Sequence, residues 1–180
     1  MTCLLERAST SYFRFQEDTA LPGGAIIRAA LAQCWSSLEL GLPNRSLLVS
    51  AEQCEDAMPD SEDFSSPYVS AAIDAATIAA CCMEFLAEPK DGLIEQAFRA
   101  RFDTFDLFLQ ATSDLDMVGS DYEQGFLSHA IVMEEVEFIR GDMQLAASAS
   151  EGTDLLARTL AHVRQGGYGT LRLVYPEHEL

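Results

Sequence analysis

A carboxylate set among small apolar residues is the first chemistry this sequence offers. Asp74 lies within Ser70-Ala71-Ala72-Ile73-Asp74-Ala75-Ala76-Thr77. Facing a packed neighbour, such a group must find a partner or take up a proton; on a solvated polar stripe it needs neither. The second cluster is Glu134, Glu135 and Glu137 with His129 and Asp142. Di-metal helical bundles use Glu-x-x-His on two helices. Here Phe126 stands three residues before His129, and Thr159 three before His162, so that pattern is absent. The three clustered glutamates cannot share one helical face, so most are expected in solvent and no metal is assigned. Asp114-Leu115-Asp116-Met117-Val118-Gly119 begins like a calcium loop. It fails at the fifth position, Val118, and at the twelfth, Gly125, where a bidentate glutamate is required. Gly166-Gly167-Tyr168-Gly169 follows a helix, so it cannot present helix N-terminal amides to a phosphate. Gly-x-Ser-x-Gly, Walker and His-Glu-x-x-His motifs are missing. No catalytic residue and no cofactor is assigned.

The elements that must position these groups are helical. A short first helix is followed by Tyr12, Phe13 and Phe15, with a break at Leu21-Pro22-Gly23-Gly24. Ile27, Leu31, Cys34, Trp35 and Leu38 form one apolar stripe on a helix from about Ala25 to Leu40, ended by Gly41-Leu42-Pro43-Asn44. A third helix, about Ser46 to Met58, turns Leu47, Leu48, Ala51, Cys54 and Met58 inward and stops at Pro59. Ser66-Pro67 offers a cap and a first-turn proline for a helix over 67–86. This helix is apolar on most of its circumference, with a narrow polar stripe of Ser70, Asp74, Thr77, Cys81 and Glu84. Small side chains let neighbours approach closely, which makes it the natural axis of a bundle.

Ile94, Phe98, Phe102, Phe105, Phe108 and Leu109 mark a core-facing stripe on a fifth helix, about Gly92 to Ala111, capped by Asp91. Residues 112–119 read as a loop. Ser120-Asp121-Tyr122-Glu123 matches a capping box opening a long helix to about Ala147, with Gly125 and Gly141 as weak points. A seventh helix, about Glu151 to Gln165, would bury Leu155, Leu156, Leu160 and Val163 before Gly166-Gly167. Leu171, Leu173 and Tyr175 alternate with other residues, as in a short extended tail.

Length and composition narrow the class. At 180 residues and 48% hydrophobic, the chain can bury a core as one domain. No apolar run reaches the ~18 residues of a membrane span, and the N-terminus lacks a secretory pattern. Five cysteines without framework spacing suit a reducing compartment and burial as small apolar residues. The net charge of −18 is concentrated in residues 46–139, which carry 20 acids against Lys90, Arg99 and Arg101. Such a surface repels phosphate backbones and anionic lipid, which excludes nucleic-acid and membrane-surface roles. A basic protein partner or a salty cytoplasm suits it better, and an acidic solvated shell needs neither; a homodimer is a separate expectation, attached to the interaction-surface reading and not to the charge.

Arg28, Leu31 and Trp35, then Glu55, Ala57, Pro59, Asp63 and Phe64, then Ile73-Asp74-Ala75 together resemble the YjaG-like family of bacterial proteins, the domain of unknown function DUF416. Glu134 to Phe138 and the last helix and tail add looser support. Two departures stand out: Ala71 replaces a usual proline, and the family's first helix begins further upstream than Met1. The resemblance implies an all-helical cytoplasmic protein and transfers no catalytic residue. Because it retains both Arg28 and Asp74, it implies an ion pair between the second and fourth helices, against the alternative of a solvated stripe.

The resulting expectation is an all-α, single-domain bundle over 1–180, with about seven helices around the small-residue helix 67–86. It would act through a binding or interaction surface, not by catalysis. The competing reading is a small-molecule or metal-dependent enzyme with a polar pocket assembled around Arg28, Asp74 and Glu134.

Overall fold

Alanine is so frequent between residues 69 and 87 that neighbouring backbones can close on this helix from all sides, and in the computed structural model they do. The structure describes residues 1–40, 46–112 and 121–148, together with 159, 161 and 163. In chain order the helices are α1 (Thr2–Thr19), α2 (Gly24–Leu40), α3 (Leu47–Asp56), α4 (Val69–Ala87), α5 (Asp91–Thr112), α6 (Asp121–Ser128) and α7 (Ala130–Ser148). The architecture is an all-α bundle. α4 packs against α1, α2, α3 and α5, and no residue along it is exposed. Ala72, Ala75, Ala76, Ile78, Ala79 and Met83 are wholly sequestered. By length and composition α4 is also apolar enough to cross a membrane, contrary to the reading of the sequence. Here its apolar surface is covered by the four helices around it.

α1 is longer than the sequence reading allowed. Leu5, Ala8, Tyr12 and Phe15 recur at three- and four-residue spacing and are all buried, so one stripe continues past the expected end. Its first turns are surrounded as completely as α4: Thr2 and every residue from Leu4 to Ser9 are buried. The helix stops at Ala20, which is left-handed (φ 59°) and donates its amide to the Gln16 carbonyl. Gly23 then passes so close to Tyr12 that a Cβ would lie 1.9 Å from the phenol oxygen. Only glycine permits that approach.

Other boundaries moved for local reasons. Ser66 accepts the Tyr68 amide at 3.3 Å and donates to Asp18 at 3.0 Å, so α4 starts at Val69, after the expected Ser66-Pro67 cap. Cys81, assigned to the polar stripe, is buried, whereas Leu38 and Leu48, assigned inward, are 50% and 37% exposed. The expected long helix after residue 120 is two helices broken at His129, not at Gly125 or Gly141. The His129 amide bonds the Phe126 carbonyl at 3.1 Å, and its Nδ1 accepts the Ile131 amide at 3.4 Å. A side chain that bonds nearby backbone in this way competes with the helical ladder.

Among the described residues two core clusters result. The larger lies around α4 and joins α1, α2, α3 and the start of α5. The smaller, Phe105, Phe108, Leu109 and Val132, seats α7 against α5. Val163 is helical and buried, as expected. The turn at 41–44, most of the loop at 112–119, Ser120, the rest of the seventh helix, Gly166-Gly167 and the tail lie outside the described residues.

Candidate functional site

The charges that the fold buries come from α1, α5 and α7. Arg7 and Arg101 have 2% and 0% of their side chains exposed, and Glu135 between them has 2%. Arg7 Nε donates to Glu135 Oε1 at 3.0 Å. Arg101 holds both oxygens of the same carboxylate, Nε to Oε1 at 3.3 Å and Nη2 to Oε2 at 3.1 Å. Arg7 Nη1 also reaches Asp142 Oδ2 at 2.9 Å. Each guanidinium lies over an aromatic ring, Arg7 at 5.8 Å from Phe138 and Arg101 at 4.7 Å from Phe105.

Burial alone would push the Glu135 carboxyl up. Arg101 and then Arg7 outweigh it, and the group sits below the ordinary glutamate value. For Arg7 burial pulls downward, but Glu135 and Asp142 prevail and hold it above the usual value. For Arg101 burial prevails and the value is lowered. The Glu135 carboxylate, held low by two guanidinium groups, is a paired charge and not a proton-exchanging group near pH 7. The cluster ties three helices together rather than presenting a reactive atom.

Asp74 has a different environment. It is half-buried on α4, and its Oδ2 accepts the Thr104 hydroxyl at 2.7 Å. Burial raises its carboxyl, the Thr104 bond lowers it, Asp103 raises it and Arg101 lowers it, leaving the group at about 6. Because that value lies above the unfolded one, the folded protein binds more protons between about pH 4 and 6 and loses stability as pH rises through that window. Asp74→Asn keeps the shape and an acceptor for Thr104 while removing the charge. At pH 7 it is expected to be more stable than the parent by about 1–3 kcal/mol. The difference should shrink as pH falls to about 4. Urea unfolding of both proteins at stepped pH measures it, and an Asp74→Asn protein no more stable at pH 7 would contradict the assignment.

The three residues proposed for one pocket are not brought together. Arg28 is exposed, with its guanidinium 4.7 Å from the centre of the Phe13 ring, and no ion pair joins it to Asp74 among the described residues. Glu134 is exposed on α7, while its neighbour Glu135 points inward. The helical repeat explains this: Val132, Glu135, Ile139 and Asp142 share the inward face, and Glu134 is about 100° away from Glu135. Reading the sequence missed Arg7, Arg101 and Thr104. Thr104 and Arg101 stand three residues apart on α5, a helical spacing that was available but unremarkable.

A surface feature completes the geometry. α6 has no buried residue. Together with α7 it forms an open groove of about 420 Å³ lined by Glu123, Gln124, Leu127, Ser128 and Met133. Leu127 and Met133 are 53% and 47% exposed, and Met143 further along α7 is 65% exposed.

Residues 1–169 match the family described as "Protein of unknown function (DUF416)". The chain belongs to the DUF416 family. A crystal structure of a DUF416 family protein from Shewanella baltica OS155 superposes with a TM-score of 0.78 at 20% identity, covering 92% of this chain and 86% of that one. At that identity the likeness shows the fold. No curated protein matches the chain.

In this DUF416 protein four of the residues that carried the resemblance, Arg28, Trp35, Ala57 and Phe64, meet α1. Arg28 lies over Phe13. Trp35 Nε1 donates to Glu6 Oε2 at 2.8 Å. The Ala57 carbonyl accepts the Tyr12 hydroxyl. Phe64 meets Phe15 edge-on, with ring centres 5.1 Å apart. The acidic connection and α2 therefore act as a cradle for α1, a role that sequence spacing alone did not suggest. The cysteines are free, and all but Cys3 are buried. Burial, first among the causes, pushes Cys3, Cys54 and Cys81 up to about 12, so these thiols stay protonated and unreactive at neutral pH.

Proposed function

We propose that this DUF416 protein is a single-domain, cytoplasmic binding protein that works through the face formed by α6 and α7 and not by catalysis. One observation carries the reading: α6 touches the smaller core cluster through the partly buried Phe126 and has no fully buried residue, while it and α7 hold Leu127 and Met133 half-exposed beside the groove. Exposed apolar side chains gathered in one groove mark an interaction surface more often than scattered ones do. The buried ion cluster supports the same reading by fixing α7, and with it the groove, to α1 and α5. Free, buried thiols suit a reducing cytoplasm. The separate surroundings of Arg28, over Phe13, Asp74, bonded to Thr104, and Glu134, exposed on α7, favour this reading over an enzyme assembled around them.

Two measurements test the proposal together. An environment-sensitive apolar dye is expected to bind the parent protein and to lose most of its signal with Leu127→Ser/Met133→Ser. Both positions are half-exposed, so the fold should persist, as circular dichroism would verify. Elemental analysis and a metal and metabolite thermal-shift screen address the competing view. Stoichiometric metal, or a large metabolite shift abolished by Asp74→Asn, would overturn the proposal.

A further inference from the structure

We infer that the α6–α7 groove takes a cationic amphipathic helix from another protein; this rests on the binding reading above and names its partner class. The apolar side chains lining the open groove are Leu127 from α6 and Met133 from α7, beside Glu123, Gln124 and Ser128. The charge carried by the two helices is mostly of one sign. Asp121, Glu123, Glu134 and Glu137 are all exposed on these two helices. Their sole basic residue in the sequence is Arg140, and it is engaged by Glu137. A groove that holds Leu127, Met133 and Glu123, on two helices whose other exposed charges are mostly acidic, is the complement of a helix with leucine-like anchors on one face and lysine or arginine beside them. Methionine suits the groove because its unbranched, polarisable side chain adapts to anchors of different shape.

Charge also discriminates between occupants. A second copy would bring the same acidic helices against themselves, in a chain already carrying a net charge of −18. Nucleic acid and anionic membrane would be repelled by the same charge. A basic helix releases that repulsion and covers Leu127 and Met133.

The test uses a fluorescein-labelled leucine–lysine peptide of about 18 residues, with leucines at i, i+3, i+4 and i+7. A scrambled peptide of identical composition, with no apolar face, serves as control. Anisotropy titrations of the full chain are expected to show the patterned peptide binding at least about tenfold more tightly than the scrambled one. Leu127→Ser/Met133→Ser should remove that tenfold preference while leaving the scrambled peptide unchanged. Glu134→Gln/Glu137→Gln should weaken the patterned peptide and flatten its salt dependence. Equal binding of the two peptides overturns the inference, since charge alone then accounts for association. So does a preference that survives the serine changes.

Light scattering separates the two levels. If the patterned peptide shows no preference but the parent dimerises and the serine variant is monomeric, the groove is a self-association face. The partner class is then wrong and the binding reading stands. If the peptide shows no preference, the parent is monomeric at high concentration and the apolar dye fails to bind, both are wrong.

Discussion

Replacing Glu135 with alanine is expected to destabilise the protein by about 3–5 kcal/mol, because it takes the shared carboxylate away from two sequestered guanidinium groups. Arg101 is the more severely affected, with no exposed surface and with Glu135 receiving two of its N–H groups. Arg7 keeps Asp142, whose side chain is 15% exposed and reaches the protein surface. The loss should be localised as well as global. Val132 is the other α7 side chain buried outright, so hydrogen exchange is expected to accelerate across α7 before the rest of the chain. A urea series gives the magnitude, and a change below about 1 kcal/mol would mean that the two arginines find other anions or water.

Replacing all four members, Asp142 included, is a separate question, since apolar residues of similar volume in place of a buried ion cluster are often neutral or stabilising. Arg7→Met/Arg101→Met/Glu135→Leu/Asp142→Leu should therefore recover most of the stability that Glu135→Ala loses. Acid dependence follows from the sign of the Glu135 shift. Its folded value is depressed, so its contribution is present above the unfolded value of 4.5 and is lost as pH falls through the folded value. Asp74 acts in the opposite sense at higher pH. Stability should consequently rise slightly as Asp74 is protonated and then fall as Glu135 is.

Phe15→Ala is expected to cost a comparable ~3–5 kcal/mol, through lost apolar transfer and the cavity left behind. Phe15 has no exposed surface and meets two rings edge-on, Tyr12 at 6.2 Å and Phe64 at 5.1 Å. The consequence should spread along α1 into the acidic connection, because Tyr12 on the same stripe holds the Ala57 carbonyl. Faster exchange of amides at 57–64 together with a lower urea midpoint would show it. Phe15→Leu should recover most of the loss, since leucine refills much of the space. A Phe15→Ala protein as stable as the parent would show that the α1 cradle collapses readily around the gap.

The helical architecture was legible in the sequence because local physics dictates it. Apolar residues at three- and four-residue spacing specify each helix, and alanine density between 69 and 87 specifies which one neighbours can surround. The same periodicity placed Phe105, Phe108 and Leu109 inward. Periodicity cannot report partners across the fold, however. The pairing of Arg7 with Glu135 spans 128 positions, and its existence depends on how α7 is rotated and docked against α1 and α5. A rotation of about one residue, roughly 100°, would have buried Glu134 in its place. The Asp74 carboxylate was identifiable as unusual from its apolar surroundings; that Thr104 and not Arg28 meets it was decided by which helix packs on that face of α4. The sequence by itself therefore determined the helices and the central rod, whose causes act within a few turns. Only the tertiary structure decided which charges are buried together and which apolar side chains stay in water, because both depend on the relative placement of helices far apart in the chain.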